Sequence, residues 1–129
     1  MPIEIPTGKW SLKAKVKKST FIAVLTRTSS IQDAKEFIKA TRMEHRRADH
    51  LPFGMRVGNP IEWEDWSDDK EPRGTAGFPI ISVMRTRDVV NATLVVVRYF
   101  GGIKLGKGGL MRAYGKLSKE VLDLALKPS

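Results

Sequence analysis

A chain of 129 residues with 41% hydrophobic and 29% charged content suits one ordinary folded domain and is too apolar for a disordered tail. The absence of cysteine excludes disulfides, iron–sulfur clusters, zinc ribbons, thiol nucleophiles and redox dithiols. The net charge of +9, from 23 basic and 14 acidic residues, is spread over both halves of the chain, so any surface for an anionic partner belongs to the fold itself. His45 and His50 cannot alone build a His-rich metal site. No apolar run approaches the ~20 residues of a membrane span, and the opening residues lack the apolar core of a signal peptide, so a cytoplasmic chain without membrane contact is expected.

Met1 to Lys9 holds two prolines and a glycine and reads as a loose or edge-lying lead-in to a single domain over 1–129. Trp10, Leu12, Ala14 and Val16 then alternate with Ser11, Lys13, Lys15 and Lys17, the period of a half-buried strand with a lysine-studded outer face. A turn at Lys18-Ser19 into Thr20–Leu25, rich in strand formers, predicts an antiparallel hairpin. Ser30, with Asp33 three residues on, has capping-box spacing, and Ile31, Ala34, Phe37, Ile38 and Thr41 form one stripe of a helix over 31–43. Leu51–Val57 is a third strand starting at an edge or bulge because of Pro52, and Gly58-Asn59-Pro60 is a turn. Residues 61–73 are polar enough to predict a long loop. After Pro79 a short helix is favoured over a strand. Ala92–Phe100 contains the run Leu94-Val95-Val96-Val97, which suits a central strand covered on both faces. Leu110 to Leu126 repeats apolar residues at helical spacing. The predicted architecture is an α/β two-layer fold, a single mixed or antiparallel sheet packed against helices.

Two segments carry chemistry. In the first, Asp68, Asp69 and Glu71 put three carboxylates within four residues, ahead of Pro72, Gly74, Thr75 and Gly77. Such mutual repulsion needs compensation. Three readings are open: a solvated turn whose side chains cap their own backbone, a structural ion pair with Arg98 or Arg112, or a divalent metal such as Mg²⁺ held by Asp68, Asp69 and Glu71. The second segment follows the clearest strand and places five glycines within 101–109, running into the longest helix. Residues 98–119 hold six basic side chains and no acid. A strand, glycine loop and helix start of this kind resembles a phosphate cradle, although neither the Walker A nor the GxGxxG pattern is met. Arg98, Lys104, Lys107, Arg112 and Lys116 are the candidate phosphate contacts, with the backbone of Gly108 and Gly109 close to the ligand. The competing reading is that the glycines serve packing and the lysines solubility. Tyr99 and Phe100 offer a stacking platform, of which alternation lets at most one face outward. His50 is a weak candidate for a general base, and no triad spacing supports it.

The patterns DD-x-E-P-x-GTAG-x-P and RYFGG-x-KLG-x-GGL-x-RAYG, together with Lys18, Ser19 and Phe21 and with Ala48 and His50, resemble the Impact N-terminal domain family over about Lys18 to Leu126. Its members include the eukaryotic translation regulator Impact and bacterial two-domain proteins. The resemblance implies a fold like the second domain of ribosomal protein S5. Lys70 stands where the family usually has Gly, which makes a turn needing positive φ less expected, and Arg73 stands where Ser is common. The ferredoxin-like domain of bacterial members and the RWD domain of eukaryotic ones do not occur in these residues, so functions residing there do not carry over.

The leading expectation is a non-enzymatic domain that binds RNA or a ribonucleoprotein, with a role in translation regulation. The alternative is a small metal-dependent enzyme acting on a phosphate ligand, or a module for a protein partner. Meeting of the acidic and glycine segments at one sheet end would favour the enzyme, and their separation on opposite faces would remove it.

Overall fold

The computed structural model describes residues 1–128. The lead-in is not loose. Its β1 (Ile3–Glu4) pairs in parallel with a strand near residue 89, and the Ile5 side chain is fully buried in the core. Burying one such side chain contributes about 1.5–3 kcal/mol, and Glu4 adds to the hold by accepting hydrogen bonds from Arg27 at 2.8 Å and Asn91 at 3.1 Å.

The alternating segment forms β2 (Lys9–Val16), which pairs antiparallel with β3 (Ser19–Arg27). The connection is a two-residue turn at Lys17-Lys18, one residue earlier than predicted, with both residues at positive φ (46° and 68°). That is the backbone twist tight hairpins favour. Helix α1 (Ile31–Glu44) starts as the capping box requires, Ser30 Oγ accepting the Asp33 N–H at 3.0 Å. Next come β4 (Phe53–Val57) and β5 (Trp63–Ser67), antiparallel neighbours.

β5 replaces part of the long loop predicted over 61–73. Its polarity hides a strand because each face carries a partly buried residue of different kind. Trp63 packs beneath α1, whereas Glu64 is clamped on the opposite face by Arg56 at 3.0 Å and by Arg85. The Arg85 hydrogen bond, above all, lowers the Glu64 pKa from its ordinary value. The clamp is therefore intact at neutral pH and is lost as pH falls through that depressed value.

Helix α2 (Gly77–Thr86) is the favoured short helix, followed by β6 (Val89–Val90), the partner of β1. β7 (Ala92–Tyr99) and α3 (Gly106–Leu126) complete the chain. The main sheet has the order β2-β3-β7-β4-β5, and every pairing in it is antiparallel. Helices α2 and α3 pack on one face, over Phe21, Leu25, Leu94 and Val96. Helix α1 covers the other face at Met55, Val57, Val95 and Val97, adding a partial third layer to the two expected. The two clusters meet at β7, which explains its uninterrupted apolar run.

At the end of β7 the chain passes against the β2–β3 turn. A Cβ on Gly101 would lie 2.0 Å from the Lys18 carbonyl oxygen, a contact backbone cannot relieve without moving the hairpin. Gly108 differs. It lies in the first turn of α3, where a Cβ would meet only the far end of Arg112 at 3.2 Å. Gly101→Ala is expected to cost about 3 kcal/mol and to lower Tm by on the order of 10 °C. Gly108→Ala should be neutral or stabilise by up to about 1 kcal/mol through helix propensity. Thermal denaturation of the two variants side by side checks both.

Candidate nucleic-acid interface

The two chemistry-bearing segments meet at one end of the sheet. Between them opens a cleft of about 400 Å³. His50, Lys70 and Glu71 line one wall, and Phe100, Lys104 and Lys107 line the other.

Behind that cleft the acidic segment is folded inward. Asp68 starts α2: its carboxylate accepts the N–H of Gly74 at 2.8 Å, of Ala76 at 3.1 Å and of Gly77 at 2.8 Å. This is an anion on a helix N-terminus. Gly77 is obligatory there, since its Cβ would sit 2.3 Å from the Ser67 carbonyl oxygen. Asp69 accepts the Leu51 N–H at 2.6 Å, binding the turn to the entry of β4.

Glu71, with its side chain 3% exposed, receives Arg98 Nη1 on both carboxylate oxygens, at 2.9 and 2.7 Å. Tyr114 Oη donates to the same carboxylate at 2.6 Å. Burial, followed by that hydrogen bond, pushes the Tyr114 phenol far above its ordinary pKa, so it remains a donor. Arg98 also reaches Ser19 Oγ, at 3.4 and 3.3 Å, and Ser19 Oγ accepts the Gly101 N–H at 3.2 Å. The guanidinium carbon lies 5.5 Å from the Phe21 ring centroid and 5.4 Å from that of Phe100.

This arrangement assigns the carboxylates to backbone capping and to an ion pair, two of the three readings that the sequence leaves open. The expected metal set of Asp68, Asp69 and Glu71 is not assembled. Their oxygens are engaged by backbone N–H groups, Arg98 and Tyr114, and no cluster of three His or acidic side chains spaced for a cation occurs among the described residues. Arg98 makes the structural ion pair that was one of the readings open for it, and it also lines the cleft. With its side chain 5% exposed and the Phe21 and Phe100 rings within 5.5 Å, its charge is spent mainly on Glu71.

Other candidates fall on either side of a ridge. Lys104 and Lys107 are exposed at the cleft rim. Arg112 and Lys116 line an adjacent groove with Gly109. Gly108 and Gly109 are not loop residues but part of α3, which begins four residues earlier than predicted and has no side-chain cap. The glycines keep that first turn uncovered. Of the two aromatics after Arg98, Tyr99 turns inward to His45, its hydroxyl 2.6 Å from Nδ1, and Phe100 is the one presented, 45% exposed.

His50 Nδ1 donates to the Asp69 carbonyl at 2.9 Å, which turns Nε2 toward Glu71 Oε1 at 3.4 Å. The ring thus faces acceptors at both nitrogens and ties β4's entry to the turn.

Lys70 was not among the predicted contacts, yet its side chain lines the cleft. It stands at φ 70°, and Asp69 at 43°, in a turn closed by Glu71 N–H to the Asp68 carbonyl at 3.0 Å. The left-handed turn disfavoured on account of Lys70 is therefore present. A non-glycine residue there costs roughly 1–2 kcal/mol, and what the chain gains is a cation at the rim. Lys70→Gly is expected to hold or raise stability by up to about 1 kcal/mol. Tyr114→Phe, which removes a hydrogen bond to a buried charge, should cost about 1.5–3 kcal/mol. Urea unfolding midpoints check both, that of Lys70→Gly being expected at or above the wild-type value and that of Tyr114→Phe below it.

Comparison with known proteins places these motifs in one family. The family model for the Impact N-terminal domain matches residues 17–122. A Bacillus subtilis relative named IMPACT family member YvyE is 44% identical over 84% of this chain and 50% of its own length. IMPACT family member YigZ of Escherichia coli is 42% identical over 86% of this chain and 55% of its own. The chain thus spans about half the length of these curated relatives. A crystal structure of a hypothetical protein superposes with a TM-score of 0.87 at 39% identity, over 92% of this chain and 58% of that one. The two-domain translational regulator Yih1 shares the fold, with a TM-score of 0.63 at 24% identity over 94% and 50% of the two chains. With motif, sequence and architecture in agreement, the chain belongs to the Impact N-terminal domain family.

Proposed function

We propose that this domain binds RNA, free or within a ribonucleoprotein, through the cleft between Lys70 and Lys107, and that it does so without catalysing a reaction. The observation that carries this reading is the pairing, in one cleft, of exposed cations with an exposed aromatic ring. Lys70, Lys104 and Lys107 supply charge for phosphates, and Phe100 supplies a face on which an unpaired base stacks. The internal ion pair supports it: with Glu71 neutralised by Arg98, the positive potential at the rim is not cancelled from within.

The family resemblance, which extends to the eukaryotic translation regulator, directs this binding toward the translation machinery. A yeast relative named Protein IMPACT homolog is 29% identical over 68% of this chain. We accordingly propose a role in translation regulation exercised in the cytoplasm. No helix among the described residues is long and apolar enough to cross a membrane.

The meeting of the two segments in one cleft is the condition that favours an enzyme, and His50 does lie in that cleft. The engagement of Asp68, Asp69 and Glu71 weighs against the metal-dependent form of that alternative. The test is fluorescence anisotropy with short single-stranded and duplex RNA at 50 and 200 mM salt, with and without Mg²⁺. Binding is expected to weaken steeply with salt and to be indifferent to Mg²⁺ at constant ionic strength. Lys104→Ala with Lys107→Ala should lower the salt slope by about 1.4, at about 0.7 per lost single-strand phosphate contact. A salt-independent affinity, or one that the double variant leaves unchanged, overturns the assignment.

A further inference from the structure

Beside the cleft, across Leu105, runs a second groove of about 290 Å³ between the β2–β3 turn and the exposed face of α3. Lys17, Arg112 and Lys116 line it as cations, over a floor that includes Val16, Leu105 and Ala113. Leu105 lines both depressions, so they share one wall. No acidic side chain lines this groove, and among the described residues no carboxylate lies within ion-pair distance of its three cations. Arg112 reaches back toward the first turn of α3, its guanidinium 3.2 Å from where a Gly108 Cβ would stand.

We infer that the groove is a second station for the same ligand, which is therefore a single-stranded polynucleotide several residues long and not a mononucleotide. The inference rests on the cleft being an RNA site and extends it. Its first support is charge: three unpaired cations beside an anion-binding cleft continue one positive track. The floor is the second. A duplex offers a groove phosphates and sugars, whereas an apolar floor ringed by cations suits an unpaired base with its phosphate. Reach is the third. At about 1.5 Å per helical residue, Lys107 and Lys116 are separated by about 13 Å along the axis of α3 and lie on opposite sides of it, one in each depression, so a ligand that touches both has to be several nucleotides long. A mononucleotide in the cleft would leave Lys17 and Lys116 without a partner.

The experiment compares a ribotrinucleotide with a ribooctanucleotide of the same composition, and an eight-base-pair duplex, by NMR shift titration. The proteins are wild type, Lys104→Ala/Lys107→Ala, and Lys17→Ala/Arg112→Ala/Lys116→Ala, each checked for fold by its amide spectrum. The groove variant is expected to leave trinucleotide affinity within about twofold, to weaken the octanucleotide at least tenfold, and to lower its salt slope by about 2. The cleft variant should weaken both RNAs. If the groove variant affects both lengths equally, or neither, the second station is refuted while the cleft assignment stands on the other variant. Tighter binding of the duplex than of the octanucleotide also refutes it. Failure of wild type to bind any of the three overturns the cleft assignment itself.

Discussion

The buried ion pair between Glu71 and Arg98, with Nη1 seated between both carboxylate oxygens, is the interaction on which the end of this molecule depends. Two charges with side chains only 3% and 5% exposed are costly to bury, and their mutual attraction offsets that cost only where every remaining donor and acceptor is met. Here they are met by elements far apart in sequence: Tyr114 from α3, Ser19 from the start of β3, His50 before β4. Losing one partner would leave the other charged and buried, at about 3–5 kcal/mol. The pair contributes less as net stability than as registration. It fixes which part of the acidic turn faces the sheet, and so where Lys70 points its charge.

From that registration follows a division between inner and outer charge. Carboxylates in this region are turned inward, onto the start of α2, the backbone of Leu51 and the guanidinium of Arg98. Cations that have no such partner, Lys104 and Lys107 with Lys70, are left at the rim. An acid-rich motif beside a base-rich one would cancel as a field if both were exposed. Folding one inside lets a domain with net charge +9 concentrate positive potential at a single place. The strain at Lys70 points the same way, since a glycine would satisfy the turn without cost but without charge.

Much of this was legible from residue order. Period-two alternation located β2, the Ser30–Asp33 spacing located the start of α1, and the apolar run at 94–97 located the doubly covered β7. What stayed hidden did so for physical reasons. β5 escaped because its half-buried acid, Glu64, owes its place to arginines 8 and 21 residues away in sequence, which no local pattern records. The lead-in was legible only as loose or edge-lying, because what docks it is the burial of Ile5 and the bonds of Glu4 to Arg27 and Asn91, far away in sequence. The start of α3 escaped because glycines that usually interrupt helices here form its uncovered first turn. The ion pair of the acidic motif with Arg98 was one of the readings open in the sequence, but which carboxylate it meets and how deeply it is buried are tertiary facts, as is the positive φ of Lys70.

In the glycine-rich segment, packing and the proposed binding draw on the same close approach. Gly101 is required by the hairpin it crosses, because the Lys18 carbonyl leaves no room for a side chain. That same crossing brings Lys17 beside α3 and so builds one wall of the groove, while Gly108 gives the Arg112 guanidinium room over the first turn. A close approach needed for packing therefore sets the positions of the cations. A larger side chain at Gly101 would displace the hairpin and Lys17 with it, whereas one at Gly108 would meet only the movable end of Arg112.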